Sequence, residues 1–276
     1  MTTDRHGGAA RTASASGPVG TVARNVFITG ANSGIGAALA RHYAARAANV
    51  GLFARRPDAL AALAAELPAQ QCATYAGDVR DPAALDRAAR DFIARFGAPA
   101  IVVANAGVSL GALTDHPEDL PVFRTVIDTN VIGMVNTFAP FIAAMRAAGG
   151  GTLAGIASVA GFRGLAGSGA YSASKAAAIT YLESLRLELR DTGIAVVTIC
   201  PGYIATPMTA TNPYRMPFLL DLDKAARLIA CAIERRKRFY VLPWQMAIVG
   251  FLLRRLPRPI YDALLARAPR RLRHGG

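Results

Sequence analysis

Cysteine is scarce in this chain of 276 residues: Cys72, Cys200 and Cys231 are scattered, with no Cys-x-x-Cys spacing. The four histidines, His6, His42, His116 and His274, also lack metal-ligand spacing. No zinc site is therefore expected. Cys72 and Cys200 fall in predicted strands and read as buried thiols, which fits a reducing, cytoplasmic setting. Residues 1–20 are rich in Ala, Gly, Ser and Thr and lack an apolar segment. They read as a disordered tail rather than a secretory signal. Acid is the other shortage: 18 Asp and Glu face 31 Lys and Arg, for a net charge of +13. The imbalance is local. From Arg235 onward there are eleven basic residues, and Asp262 is the single acid. Within that end, Phe239–Leu253 carries no charge. It is shorter than the roughly 20 apolar residues a spanning helix needs.

What is present is an alternation. Short apolar runs at 24–29, 49–54, 71–76, 99–104, 151–157, 194–200 and 238–242 read as strands. Alanine-rich helical stretches separate them, the longest near 119–147 and 170–191. That order predicts an α/β fold built on a doubly wound parallel sheet, Rossmann-like, in one domain over residues 21–242. Residues 243–276 form a basic, apolar helical extension. In it, Trp244–Leu256 reads as one helix, Pro257-Arg258-Pro259 as a break, and Ile260, Tyr261, Leu264, Leu265 and Ala268 as one face of a second helix.

The first predicted strand, Asn25-Val26-Phe27-Ile28-Thr29, runs straight into Gly30-Ala31-Asn32-Ser33-Gly34-Ile35-Gly36 and then a helix. Strand, glycine turn and helix make the first half of a dinucleotide-binding unit. Gly30 permits the tight turn, Gly34 lets the backbone approach a pyrophosphate, and Gly36 lets the helix pack against the strand. Amides at the helix start then face the phosphates. Farther on, Tyr171 and Lys175 stand four residues apart, which puts them on one helix face. A phenol titrating near 10 is a poor acid at neutrality, and an ammonium beside it favours the phenolate. Ser158 supplies a hydroxyl able to hold a carbonyl or alcohol oxygen.

In this order the motifs resemble the short-chain dehydrogenase/reductase family, over about residues 22–242. Thr29–Gly36 resembles its cofactor turn, including Asn32, Ser33 and Ile35. Asp78-Val79 resembles the pair near the adenine, and Asn105-Ala106-Gly107 the motif after the fourth strand. Asn130, Ser158, Tyr171 and Lys175 resemble its catalytic set. Pro201-Gly202-Tyr203-Ile204-Ala205-Thr206-Pro207-Met208 resembles the segment at the nicotinamide carboxamide. The resemblance implies hydride transfer between a nicotinamide cofactor and a carbonyl or alcohol carbon. In reduction Tyr171 would donate the proton, and Ser158 would hold the oxygen. Lys175 would tune Tyr171 and bind the ribose, and Asn130 would hold a water leading from Lys175 to solvent. Asn136 is a rival to Asn130 by composition. A homo-oligomer is implied as well.

No acid ends the second predicted strand; Arg55 and Arg56 stand there instead. A carboxylate in that place accepts from the ribose 2′-hydroxyl of NAD, whereas a guanidinium can pair with the 2′-phosphate of NADP. NADP(H) is therefore expected ahead of NAD(H), through Arg55 first, then Arg56, with Ser33 assisting. The bland alternative is that both arginines are solvated charges at a helix entry. The pocket is expected between Val108–Leu113, Val159–Gly169 and Tyr203–Leu220. The last segment, with Met208, Pro213, Tyr214, Met216, Pro217, Phe218, Leu219 and Leu220, reads as a lid for a lipophilic substrate. Arg163 and Arg215 could meet an anionic group on the substrate, or only solvent. For the basic end three readings compete: docking on the protein itself or a second subunit, an anionic membrane surface, and nucleic acid. The membrane leads, which would place the protein at the inner face of a membrane, and nucleic acid is weakest. Rival functions are an NADP-binding regulator without turnover and a membrane-associated scaffold.

Overall fold

The computed structural model describes residues 25–210, 212 and 215–266. The tail at 1–20, Pro213, Tyr214, Ala268 and the arginines Arg267, Arg270, Arg271 and Arg273 lie outside the described residues. The strands are β1 (Asn25–Thr29), β2 (Asn49–Ala54), β3 (Cys72–Ala76), β4 (Ile101–Ala104), β5 (Gly151–Ile156), β6 (Ile194–Pro201) and β7 (Phe239–Leu242). The helices are α1 (Gly34–Ala44), α2 (Pro57–Ala65), α3 (Pro82–Phe96), α4 (Leu120–Ile127), α5 (Gly133–Ala147), α6 (Gly169–Glu188), α7 (Pro207–Ala210), α8 (Leu222–Glu234), α9 (Trp244–Arg255) and α10 (Arg258–Leu265).

All seven strands are parallel, in the order β3-β2-β1-β4-β5-β6-β7. The chain winds outward from β1 in one direction, then restarts at β4 in the other. The carboxyl ends of β1 and β4 therefore flank a crevice, the usual ligand position in such sheets. Strands covered on both faces read as unbroken apolar runs, and Val26, Phe27 and Ile28 of β1 are fully buried. One face packs Leu39, Tyr43, Leu60, Ile229 and Ile233 from α1, α2 and α8. The other packs Leu85, Phe92, Phe138, Phe141 and Leu182 from α3, α5 and α6. There Phe27 meets Phe141 and Phe92 at ring-centroid distances of 4.7 and 5.5 Å.

Local chemistry sets the element ends. Asp81 Oδ1 accepts from the Ala83 amide at 2.9 Å, and Pro82 opens α3, so the helix starts capped. Asp221 Oδ1 does the same for α8, from the Lys224 amide at 2.9 Å. β4 begins at Ile101, two residues later than expected; Pro99 has no N–H for the ladder, while Ala100 already bonds to Asn25 and Thr152 on either side. The long helix expected near 119–147 is interrupted by one π-helical turn, Asp128–Ile132, between α4 and α5. Pro259 does not delay α10; it occupies the first turn, where a missing N–H costs nothing.

The C-terminal helices dock on the body, as the first of the three readings of this end requires. A side chain at Gly202, just past β6, would run into Met246 of α9, and one at Gly250 would strike the Phe162 ring. Tyr261 donates its hydroxyl proton to the Gly164 carbonyl at 2.6 Å. Arg163 donates to the Leu256 carbonyl at 3.2 Å, and its guanidinium lies 4.0 Å from the centre of the Tyr261 ring. The Arg163 side chain is thus engaged in fastening α10, a role that neither a substrate anion nor bare solvent describes. Arg215 is exposed.

Candidate functional site

A cavity of about 310 Å³ opens at the carboxyl ends of the central strands. Gly30, Asn32, Ser33, Gly34 and Ile35 line one part, with Arg55, Arg56, Asp78 and Val79 beyond them. Asn105, Ala106 and Gly107 form its floor, and Ser158, Tyr171, Lys175, Pro201, Gly202, Ile204 and Thr206 line the rest. Of the residues singled out from sequence, Thr29, Gly36, Asn130, Tyr203 and Ala205 of the resembled motifs stand outside this lining, as do Arg163, Arg215 and the lid residues Met216, Phe218, Leu219 and Leu220. Gly36 and Asn130 act from behind it.

The glycine turn is shaped by two backbones in the left-handed region, Gly30 at φ 64° and Gly34 at φ 53°. A Cβ at Gly36 would collide with the Gly30 carbonyl and lie 2.6 Å from the Asn105 amide. Gly36 therefore seats the helix on the turn itself, a tighter constraint than packing on the strand. Asn105 braces the same turn: its side-chain amide donates to the carbonyls of Thr29 at 3.0 Å and Gly30 at 3.2 Å. Ser33 occupies the N-cap position of α1 but makes no side-chain capping bond, and its residue faces the cavity.

The two arginines are held differently. With its amide oxygen turned toward Arg56, Asn32 accepts from Nε at 2.8 Å and Nη2 at 2.7 Å. Arg56 is thereby pinned to the glycine turn. Arg55 is exposed and close enough to Asp78 to help lower its pKa. The main cause of that lowering is Arg80, whose guanidinium meets the Asp78 carboxylate at 2.6 Å.

Tyr171 and Lys175 share one face of α6, with the Lys175 Nζ 5.7 Å from the centre of the Tyr171 ring. Lys175 is only 4% exposed. It donates to the Ile156 carbonyl at 2.8 Å. Burial pulls its ammonium down to about 8, with Cys200 acting weakly the other way. Cys200 is itself buried, and burial pushes its thiol up to about 12. Ser158 follows β5 and caps the short turn after it, accepting from the Ala160 amide at 3.1 Å. Its own proton points at the Pro201 carbonyl, 3.4 Å away. That long bond is one a substrate oxygen could replace.

Asn130 sits in the π turn, 1% exposed. Its Oδ1 accepts from the Val108 amide at 2.8 Å. Its Nδ2 donates to the Val108 carbonyl at 2.9 Å and to Ser174 Oγ at 2.9 Å. Ser174 in turn donates to the Tyr171 carbonyl at 2.7 Å. Asn130 therefore ties the loop after β4 to the helix that carries Tyr171 and Lys175. The rival, Asn136, instead donates to the Val79 carbonyl at 2.9 Å. Ser174 was not singled out from the sequence. A serine inside a helix, one turn after Tyr171, bonding back to a carbonyl, is the signal that could have found it.

The short chain dehydrogenase family model matches residues 24–215. An uncharacterized oxidoreductase of Myxococcus xanthus is 40% identical over 260 residues, covering 91% of this chain and 98% of its own. A short-chain dehydrogenase from Streptomyces avermitilis superposes with a TM-score of 0.73 at 28% identity, covering 88% of this chain and 94% of its own. L-sorbose reductase from Gluconobacter frateurii, solved with NADPH and L-sorbose, superposes with a TM-score of 0.72 at 25% identity, covering 81% of this chain and 96% of its own.

Proposed function

This chain belongs to the short-chain dehydrogenase family, and from that membership we propose an NADP(H)-dependent oxidoreductase acting on the carbonyl or alcohol carbon of a lipophilic substrate. One observation carries the proposal: Ser158, Tyr171 and Lys175 line the same cavity as the glycine turn.

The residues present suit a nicotinamide dinucleotide. The turn at Gly30 and Gly34 leaves no Cβ in the way of a diphosphate, and the start of α1 offers it amides and the positive end of the helix. Arg55, Arg56 and Ser33 would take a 2′-phosphate, with Arg56 already oriented by Asn32. The cofactor, when bound, supplies or accepts the hydride. At the substrate oxygen, Tyr171 gives a proton in the reductive direction and takes one in the oxidative direction. Ser158 donates a hydrogen bond to that oxygen and stabilises the charge it gains. The Ala160 amide already fills one acceptor site of the Ser158 hydroxyl, which leaves its proton for this use. The Lys175 ammonium favours the phenolate of Tyr171 and offers its remaining donors to the cofactor ribose. Asn130 holds α6 in register with the loop after β4. Its side-chain amide is committed to Val108 and Ser174, so a water leading from Lys175 would have to be held by its backbone carbonyl.

Ile204 and Met208 line the cavity, and Phe218 and Leu219 are exposed on the segment that follows; these apolar side chains support a lipophilic substrate. We assign residues 21–242 to the catalytic unit and residues 243–276 to an extension that meets an anionic surface, developed below. Exposed Leu120, Phe123 and Ile132 on the α4–α5 flank offer area for pairing subunits. Tyr171→Phe is the direct test. It should bind NADPH as the parent does, by fluorescence titration, while turnover of lipophilic ketones nearly vanishes. Turnover at the parental rate would remove the assignment.

A further inference from the structure

The two C-terminal helices bury one face and present the other to solvent. On α9, Trp244, Ile248, Phe251 and Leu252 follow the spacing that keeps side chains on one side of a helix. On α10, Ile260 and Leu264 repeat it. All six are more than half exposed. The inner positions, Met246, Gly250 and Tyr261, pack on Gly202, Phe162 and Gly164. The exposed row is therefore not a helix caught undocked; it is what remains after docking is complete. A contiguous apolar row on a soluble surface marks an interaction site.

The charges choose the occupant. Arg254 and Arg255 end α9, and Arg258 begins α10. All three are exposed. Arg255 lies 3.6 Å above the Phe251 ring, so cation and apolar row share one surface. Phe162 touches Gly250, stacks on Phe239 at 6.1 Å and lies under Arg254 at 5.4 Å. The end of α9 has thus returned level with the start of β7, beside the exposed Arg235, Arg236, Lys237 and Arg238. Between residues 235 and 266 seven basic residues face Asp262 alone. A second copy docked face to face would set these arginines against their own equivalents. A nucleic acid would match the charge but leave the apolar row wet. An anionic bilayer satisfies both: apolar side chains enter the headgroup boundary and arginines stay among the phosphates. α9 has 12 residues, or about 18 Å, so it lies along the surface rather than across it.

We propose that the outward face of α9 and α10 is a docking surface for an anionic lipid bilayer. The loop between Ser158 and Tyr171 is fastened to the inner side of these helices through Phe162, Arg163 and Gly164. Docking would therefore bring the substrate side of the cavity close to lipid. The inference rests on the oxidoreductase reading only where it gives a lipophilic substrate its source; the docking itself does not depend on turnover.

Trp244 is the single tryptophan of the chain, and it reports on its own surroundings. The full chain is mixed with vesicles of phosphatidylcholine, with and without phosphatidylglycerol, at low and high salt. Trp244 emission should shift to the blue and the protein should co-float with the phosphatidylglycerol vesicles, losing both at high salt. At roughly fivefold per surface cation, Arg255→Ala with Arg258→Ala should lower partitioning about 25-fold. Phe251→Ser with Leu252→Ser should abolish the blue shift. NADPH-dependent turnover measured without vesicles should survive in both variants and shows that they fold. Any of three results overturns the proposal: no co-flotation at low salt, equal partitioning to phosphatidylcholine alone, or a blue shift that grows with protein concentration in the absence of lipid. Retention on duplex DNA with no vesicle binding would assign the face to nucleic acid instead.

Discussion

Lys175→Met should stabilise the cofactor-free protein at neutral pH while removing its activity. The Lys175 ammonium is buried, and its pKa falls from 10.5 to about 8. That difference makes the folded state poorer by about 3 kcal/mol at neutral pH. Methionine matches the length of the stem and carries no charge, so the penalty disappears. The variant forfeits the bond to the Ile156 carbonyl, at a cost of about 1 kcal/mol. The net gain is about 2 kcal/mol, or roughly 4–8 °C in Tm for a domain of this size. The pH dependence has a definite sign. Between about pH 8 and 10.5 the unfolded lysine holds a proton that the folded one has lost. Wild-type stability therefore gains on the variant across that window, and the order reverses once both forms of the lysine are neutral. Urea titrations of both proteins, stripped of cofactor, at pH 7 and at pH 10.5 are the assay. A variant that is weaker at pH 7, or a gap that ignores pH, would refute the buried-charge argument.

Two further outcomes are expected. Arg55→Ala should raise the KM for NADPH about 10- to 100-fold, the range of a charge-assisted phosphate contact, and leave that for NADH nearly unchanged; equal losses would remove the case for the 2′-phosphate. Asn130→Ala leaves the Val108 amide and carbonyl and the Ser174 hydroxyl without their partner, and should cost about 3 kcal/mol in urea unfolding. Turnover should fall further than NADPH affinity, and a fall in affinity alone would assign Asn130 to cofactor binding.

Much of the fold was legible because each strand is a short apolar run between helices of different period. The glycine turn was legible because Gly30 and Gly34 adopt backbones that other residues avoid. Tyr171 and Lys175 could be paired because they share one helix, where spacing alone sets the face. Asn130 needed the family resemblance, since nothing local joins residue 130 to residue 174. The role of Arg163 was hidden for the same reason: its partners, Leu256 and Tyr261, are more than ninety residues away. The π turn was invisible, because one wide turn barely disturbs the apolar pattern of a helix that continues on both sides.

That wide turn amounts to one surplus residue threaded into an otherwise regular coil. Without it, Val126 ahead and Phe138, Phe141 and Met145 behind would fall out of phase with the surfaces they cover. With it, both halves keep their own angular setting, and the slack between them is where Asn130 leans inward. A family member lacking the surplus residue would have to choose between a sound hydrophobic interior and a braced tyrosine; this chain has both.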